Sequence, residues 1–521
     1  MSVDLSPALS NEVVHRGKHV PGMPPPSLNG QPGRDQNTSR EASSYSSLNQ
    51  HLHHQQVSTH LTIKDMTDVL GVLVIATNGA RTEFYQDPYT YQPAFTISTP
   101  LGVAESYNLG AALRQEYFTP SSPSYVAGMS TDVMDTHEVH VHVKGGGEGA
   151  VVFDSATAVL QGLFPPNTRN TIELANETVV TSPLGGYQYV PVETIQPESD
   201  KSLEPWLDCP NFEKHVAKVY GSGEFKEAAG NAKGFFGFVK DYVFGRVTAL
   251  ENAWNLFDYM NTELTYNKTY AYRLPPTLIE QARGWANFHE NAVFSDKDPG
   301  GIGNIAGRAI LSSLISALER IAFNDDPLKF FLIETSYQPL ISLFHLTEMN
   351  REDPLLASIP NPASALAIEL RRGPAPDTRD FLRFQFKNGS SGDFEPYHVL
   401  GHKADIPLTE FIYRIENYAI SSNKQWASAC GASRFSSELL DTAFPAAGGA
   451  PASTSRTALS GLFALVCFAG LVMFGRFFRA RRATQAHQHQ QGQGQGQGAV
   501  RLHGDEVTPM VSEKHRQQFS A

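Results

Sequence analysis

At the end of an aliphatic run, Leu70-Gly71-Val72-Leu73-Val74-Ile75, the chain reads Ala76-Thr77-Asn78-Gly79-Ala80-Arg81. A strand that leads into such a turn can hold an oxyanion. The Arg81 guanidinium supplies a charge-assisted contact, Gly79 allows backbone amides to approach closely, and Thr77 and Asn78 add neutral donors. Asn78 is not a nucleophile, because its amide lone pair is delocalised into the carbonyl, and it can only donate and accept hydrogen bonds. The spacing therefore points to binding rather than to covalent chemistry. A second pair, His140 and His142, alternates with Val139, Val141 and Val143 and shares one strand face. Two such imidazoles can ligate a metal jointly. No third ligand stands at a fixed spacing, however, and histidine is commonly a polar surface residue, so neither a metal nor any other cofactor is expected.

Two glycine-rich stretches, residues 144–149 and 299–303, lack the Gly-Lys-Ser/Thr ending of a phosphate-binding loop and read as turns. The aromatic run from Phe84 to Tyr91 follows directly on Arg81. Its rings either line the mouth of a pocket or pack against a helical region.

These residues need a scaffold, and the hydrophobic pattern supplies one. Strands are expected near Val69–Ala76 and Glu138–Val143, at Lys329–Ile333, Leu366–Leu370 and Phe381–Phe386. Residues 303–323 place Ile310, Leu311, Leu314, Ile315, Leu318 and Ile321 on one helical face, and another helix is expected from Pro339 to Leu346. Helices between strands imply an α/β fold, read here as a three-layer sandwich with a mostly parallel central sheet and an added helical region from about 205 to 320.

The turn resembles the Arg-His-Gly-x-Arg loop of the histidine acid phosphatase branch of the histidine phosphatase superfamily, also called phosphoglycerate mutase-like. Thr77 stands in place of the first Arg and Asn78 in place of the His. Further segments are similar to that family in the same order: Ser98-Thr99-Pro100-Leu101-Gly102 with Gly110, Leu113, Arg114 and Tyr117; Ser130-Thr131-Asp132-Val133; Phe153-Asp154-Ser155-Ala156 with Gly162-Leu163-Phe164-Pro165-Pro166; and Pro362-Ala363-Ser364 before Ile368-Glu369-Leu370. The resemblance implies a site in which one His attacks phosphorus, several Arg and a second His neutralise the oxygens, and an acid protonates the leaving group. Aligned to that scheme, Asp135 falls on the third Arg, Ile333 on the second His and Glu334 on the acid. A shift of one residue changes the last two assignments without restoring a His. Loss of the phosphatase reaction is expected. Asn78, Arg81 and Glu334 are expected to remain as a ligand-binding group, with Lys144, His140 or His142 as further candidates.

The chain has 521 residues, 41% of them hydrophobic, and a formal charge of -12, with its basic cluster confined to the region after residue 475. That balance gives a large core and argues against a nucleic-acid surface on the body. Residues 1–60 are polar and lack periodicity, and are expected to be disordered. The His-rich run within them reads as a solvated tract. The body spans 61–435, a small-residue linker 436–456, and residues 457–475 are 19 uncharged residues followed by Arg476, Arg479, Arg481 and Arg482. That segment reads as a single transmembrane helix with a disordered cytoplasmic tail, 476–521, and a body in the secretory lumen or outside the cell. Sequons at Asn37, Asn176, Asn267 and Asn388 fit this side. The residues up to Pro26 hold no apolar run of signal-peptide length, so translocation is expected to rest on a different start or alternative first exon, with insertion by a late anchor as the other route. Cys467 lies in the apolar run, which leaves Cys209 and Cys430 as a candidate disulfide; two separate buried thiols are the alternative.

Overall fold

The structure is a computed structural model, and it describes residues 68–84, 96–146, 149–374 and 376–432. The segments 1–60, 436–456, 457–475 and 476–521, with Asn37, fall outside these. So does most of the Phe84–Tyr91 run, of which only Phe84 is described. No helix among the described residues is long and apolar enough to cross a membrane.

The sheet is built on β1 (Asp68–Thr77), whose side chains are buried on both faces from Val72 onward. An almost uninterrupted aliphatic run is what a central strand covered on both sides requires. β1 pairs in parallel with β6 (Phe330–Thr335), β6 with β2 (Val139–Lys144), and β2 with the edge strand β5 (Glu193–Ile195). On its other side β1 pairs antiparallel with β7 (Ala365–Arg372), which pairs antiparallel with β8 (Asp380–Lys387); β9 (Glu395–Tyr397) and β10 (Ile406–Pro407) are antiparallel to β8. The sheet is thus mixed, not mostly parallel as expected. The reason is connection length: residues 373–379 join β7 to β8 directly, which allows only an antiparallel neighbour, whereas a parallel one needs a long crossover. A separate surface hairpin is formed by β3 (Thr171–Glu173) and β4 (Val179–Thr181).

One face of the sheet, with Val72, Val74, Ala76, Val141 and Leu332, packs on α1 (Pro100–Tyr117) and α2 (Gly149–Leu163). The Thr99 hydroxyl caps α1 by accepting from Gly102 N, and Pro100 occupies its first turn, where a missing N–H costs nothing. The other face, with Leu73, Ile75, Phe331, Ile333 and Ile368, packs on the helices corresponding to the two expected ones, Ile305–Phe323 and Gln338–Leu346. The added region holds α3 (Pro210–Gly221), α4 (Gly223–Val239), α5 (Ala253–Tyr266), α6 (Lys268–Arg273) and α7 (Pro276–Val293), with a core that includes Phe225, Leu256 and Met260. Cys209, just before α3, forms a disulfide with Cys430 at the end of α8 (Asn423–Cys430).

Candidate functional site

β1 delivers Thr77 to the rim of a cleft of about 180 Å³ that lies between the C-terminal end of the strand and the helical region. The loop that follows is held rigidly. Thr77 Oγ1 accepts from Ser364 N at 3.1 Å and donates to Ser364 O at 3.4 Å, which ties it to the segment entering β7. Gly79 N donates to Ser155 Oγ at 3.1 Å, and Ala80 N to Glu105 Oε2 at 2.8 Å. Burial raises the Glu105 pKa, and the Ala80 hydrogen bond partly offsets it. These partners correct the expectation that Thr77 and the amides of Gly79 and Ala80 serve an oxyanion, because their hydrogen-bonding capacity is spent within the fold. Glycine at position 79 has a steric reason as well: a Cβ there would lie 2.1 Å from Gly102 O. Gly79→Ala is therefore expected to lower stability by about 1–3 kcal/mol by forcing the loop away from α1, a loss that denaturant unfolding would measure. An unchanged midpoint would mean that the loop shifts freely.

Arg81 does point into the cleft, but it does not face it alone. Its guanidinium lies 3.0 Å from Asp258 Oδ1 and stacks on the Phe84 ring with 3.8 Å to the centroid, while Phe84 N also donates to Asp258 at 2.9 Å. Asp258 belongs to α5, whose cleft face runs Trp254, Asp258, Asn261, Thr262 and Thr265 at helical spacing. Sequence reasoning missed this face, although its period was there to be read. It also missed Arg283 on α7, which donates to Asn361 Oδ1 at 2.7 Å and to Ile359 O at 3.3 Å. Burial lowers the Arg283 pKa, yet a guanidinium stays charged. Its partners are neutral oxygens, so its charge is better placed for an anion than that of Arg81. Tyr337 closes the back wall. It donates to Glu290 Oε2 at 2.9 Å, whose other oxygen lies 2.8 Å from His289 Nδ1, with Tyr220 OH 2.8 Å from His289 Nε2. His289 and Glu290 are fully buried, so this network braces the wall rather than meeting a ligand.

Other expected members are elsewhere. Ile333 is buried in the core beneath the sheet, and Glu334 projects to the opposite face with Phe330 and Leu332, fully buried with no hydrogen-bond partner on either carboxylate oxygen among the described residues. Neither lines the cleft, which corrects the grouping of Glu334 with Asn78 and Arg81. The physical reason is strand alternation: consecutive residues of a central strand face opposite layers, and both layers are covered here. Burial raises the Glu334 pKa to about 8. Asp135 is exposed and caps His137 N at 2.9 Å. Lys144 is buried against Glu204 at 3.1 Å. Asn78 lies in the cleft, donating to its neighbour's carbonyl, Gly79 O, at 3.0 Å. Asn176, Asn267 and Asn388 are exposed.

His140 and His142 lie outside the cleft, but Glu193 joins them as a third potential metal ligand that no fixed spacing marks. β5 brings Glu193 into register with His142 from 51 residues away, beyond any local spacing.

A segment of 200 residues is 27% identical to human lysosomal acid phosphatase and covers 38% of this chain and 41% of that protein. The rat lysosomal acid phosphatase is 23% identical over 364 residues, 68% of this chain and 77% of the relative. The first match thus spans about two fifths of its relative's length. No family model matches the chain. Among solved structures, the phytase of Citrobacter braakii superposes with a TM-score of 0.49 at 11% identity, over 69% of this chain and 99% of that one. The D. castellii phytase gives 0.45 at 14%, over 75% and 88%. At that level neither bears on chemistry. The chain is thus similar to lysosomal acid phosphatases, and these relatives support its resemblance to the histidine acid phosphatase branch of the histidine phosphatase superfamily.

Proposed function

We propose that the chain is a catalytically degenerate member of this branch whose cleft binds a small anionic or carbohydrate-like ligand without turning it over. The observation that carries this reading is the cleft's composition: among the described residues none of its lining side chains is an imidazole, while Arg81, Arg283 and the rings of Phe84, Trp254 and Phe257 line it. An inherited phosphohistidine route needs a His at position 78 and a second His facing the cleft. The chain has Asn78 and buries Ile333. Aromatic faces with amide and hydroxyl groups between them suit a sugar ring, and Arg283 suits its acidic substituent. An active phosphomonoester hydrolase with a non-standard nucleophile and a purely structural surface protein are the competing readings.

Full-length protein is expected to give no turnover of an aryl phosphate at acidic pH. Asn78→His alone should not restore it, because Thr77 is tied to Ser364 and no second imidazole lines the cleft. Turnover that disappears in Asn78→Ala would overturn the degenerate reading. In calorimetric titration with a phosphorylated sugar, Arg283→Ala should weaken binding by about tenfold or more, at roughly 1.5–3 kcal/mol for a hydrogen bond to a charged group. Arg81→Ala should have the smaller effect, since Asp258 already neutralises that guanidinium. No binding by the unmodified protein would favour the structural reading.

We also propose a single-pass anchor at 457–475 with the body lumenal or extracellular, glycosylated at Asn176, Asn267 and Asn388, and the tail cytoplasmic. Support comes from the uncharged run with its Arg flank, the exposure of the three sequons, and a disulfide that suits an oxidising compartment.

A further inference from the structure

We propose that His140, His142 and Glu193 form a binding site for a zinc-class divalent transition metal at the β5 edge of the sheet, separate from the cleft. Three donor atoms converge there. His140 Nε2 lies 3.2 Å from His142 Nε2, and Glu193 Oε2 lies 3.3 Å from the first and 3.2 Å from the second. Tetrahedral zinc with ligands at ~2.0–2.1 Å has edges of ~3.3–3.4 Å. The trio is thus already close to one triangular face of that polyhedron.

Protons satisfy this triangle poorly. The carboxylate only accepts, so each ring must turn an N–H toward it, and the two Nε2 atoms then present donors to each other across 3.2 Å. A cation uses all three lone pairs at once. The scaffold also fixes the donors: His142 and Glu193 are register partners in a parallel ladder, His140 is two residues along the same strand face, and the Phe331 ring lies against both imidazoles at 5.2 and 4.9 Å between centroids. The side chains of His140 and Glu193 are 35% and 60% exposed, which leaves room for water at the fourth position. Two imidazoles and one carboxylate favour zinc or a neighbouring late first-row metal over calcium or magnesium, which prefer all-oxygen sites.

Arg320 opposes the metal. Its Nη1 lies 3.2 Å from His140 Nδ1, while its Nε and Nη2 bind both oxygens of Asp326. A ring that ligates through Nε2 must carry its proton on Nδ1, so this guanidinium has to swing toward solvent. Its side chain is 35% exposed, and the movement is open to it. Removing Arg320 should therefore tighten binding, an effect that a merely structural hydrogen-bonded trio would not show.

The test uses full-length protein stripped with chelator and titrated with cobalt and with zinc alone. Cobalt is expected to give the intense visible absorption of a four-coordinate site at one equivalent, displaced by zinc. His142→Ala should abolish that band, Glu193→Gln should weaken affinity at least tenfold, and Arg320→Gln should tighten it several-fold, each variant being checked for native near-ultraviolet circular dichroism. Replacing the histidines of the tracts around 51–54 and 487–489 by Ala should leave the band unchanged. A band that survives His142→Ala but disappears with the tract histidines would overturn the proposal, as would no cobalt band in a protein whose circular dichroism is native. An Arg320→Gln affinity equal to or weaker than that of the unmodified protein would overturn the assigned geometry at His140.

Discussion

Opening the Cys209–Cys430 disulfide is expected to lower the stability of the body by about 2–5 kcal/mol, the range typical for a native bridge. The two cysteines are 221 residues apart, so the bridge closes a long loop in the unfolded chain and removes much of that chain's freedom. Folding gains locally too. Both cysteines are fully buried in a cluster with Trp206, Phe212, Phe294 and Trp426, where α3 meets α8. Cys430→Ser and Cys430→Ala should both show this loss, since either removes the bridge. Thermal unfolding of both variants, and of the unmodified protein with and without reductant, would measure this. The bridge carries little if reduction leaves the midpoint unmoved. Thiol labelling in denaturant without reductant should modify Cys467 alone.

What could be read beforehand follows from how local each signal is. β1, β6, β7 and β8 are strongly patterned and stand within a few residues of the expected bounds, as does the helix Ile305–Phe323, whose expected start at Gly303 is taken by a short turn of Ile302–Asn304. Strand direction was harder, because it depends on how β7 and β8 connect and not on their residues. The loop after β1 was legible as a motif, but its hydrogen bonds to Ser155, Glu105 and Ser364 come from distant segments. The same holds for Asp258, Arg283 and Glu193, which tertiary contact alone brings to Arg81, the cleft and His142. The assignment of Glu334 to the site failed because the family alignment fixes a position but not the layer into which its side chain points.

Glu334→Gln is expected to stabilise the protein at neutral pH, and the size of the gain should depend steeply on pH. The Glu334 carboxyl is fully buried with neither oxygen hydrogen-bonded among the described residues, and burial lifts its pKa from 4.5 to about 8. The folded state thus binds this proton more tightly than the unfolded chain does. The group's relative stability is fully present below the unfolded value of 4.5, and it is lost as pH rises through that value toward 8. Each pH unit in the window costs about 1.4 kcal/mol, which gives a penalty of about 3 kcal/mol at pH 7 and just under 1 at pH 5. Glutamine keeps the shape and leaves a similar pair of unpaired polar atoms, so that cost nearly cancels and only the ionisation term disappears. Other buried acids such as Glu369 titrate in both proteins, so the difference between variant and parent isolates position 334. Denaturant unfolding at pH 4.5 and pH 7 should show near-equal stabilities at the first and a clear advantage for the variant at the second. An advantage that does not change with pH would mean that Glu334 is charged and compensated in the folded protein. This one group favours the folded state as pH falls from 7 toward 4.5, since the proton that neutralises the buried carboxyl is then supplied by the solution.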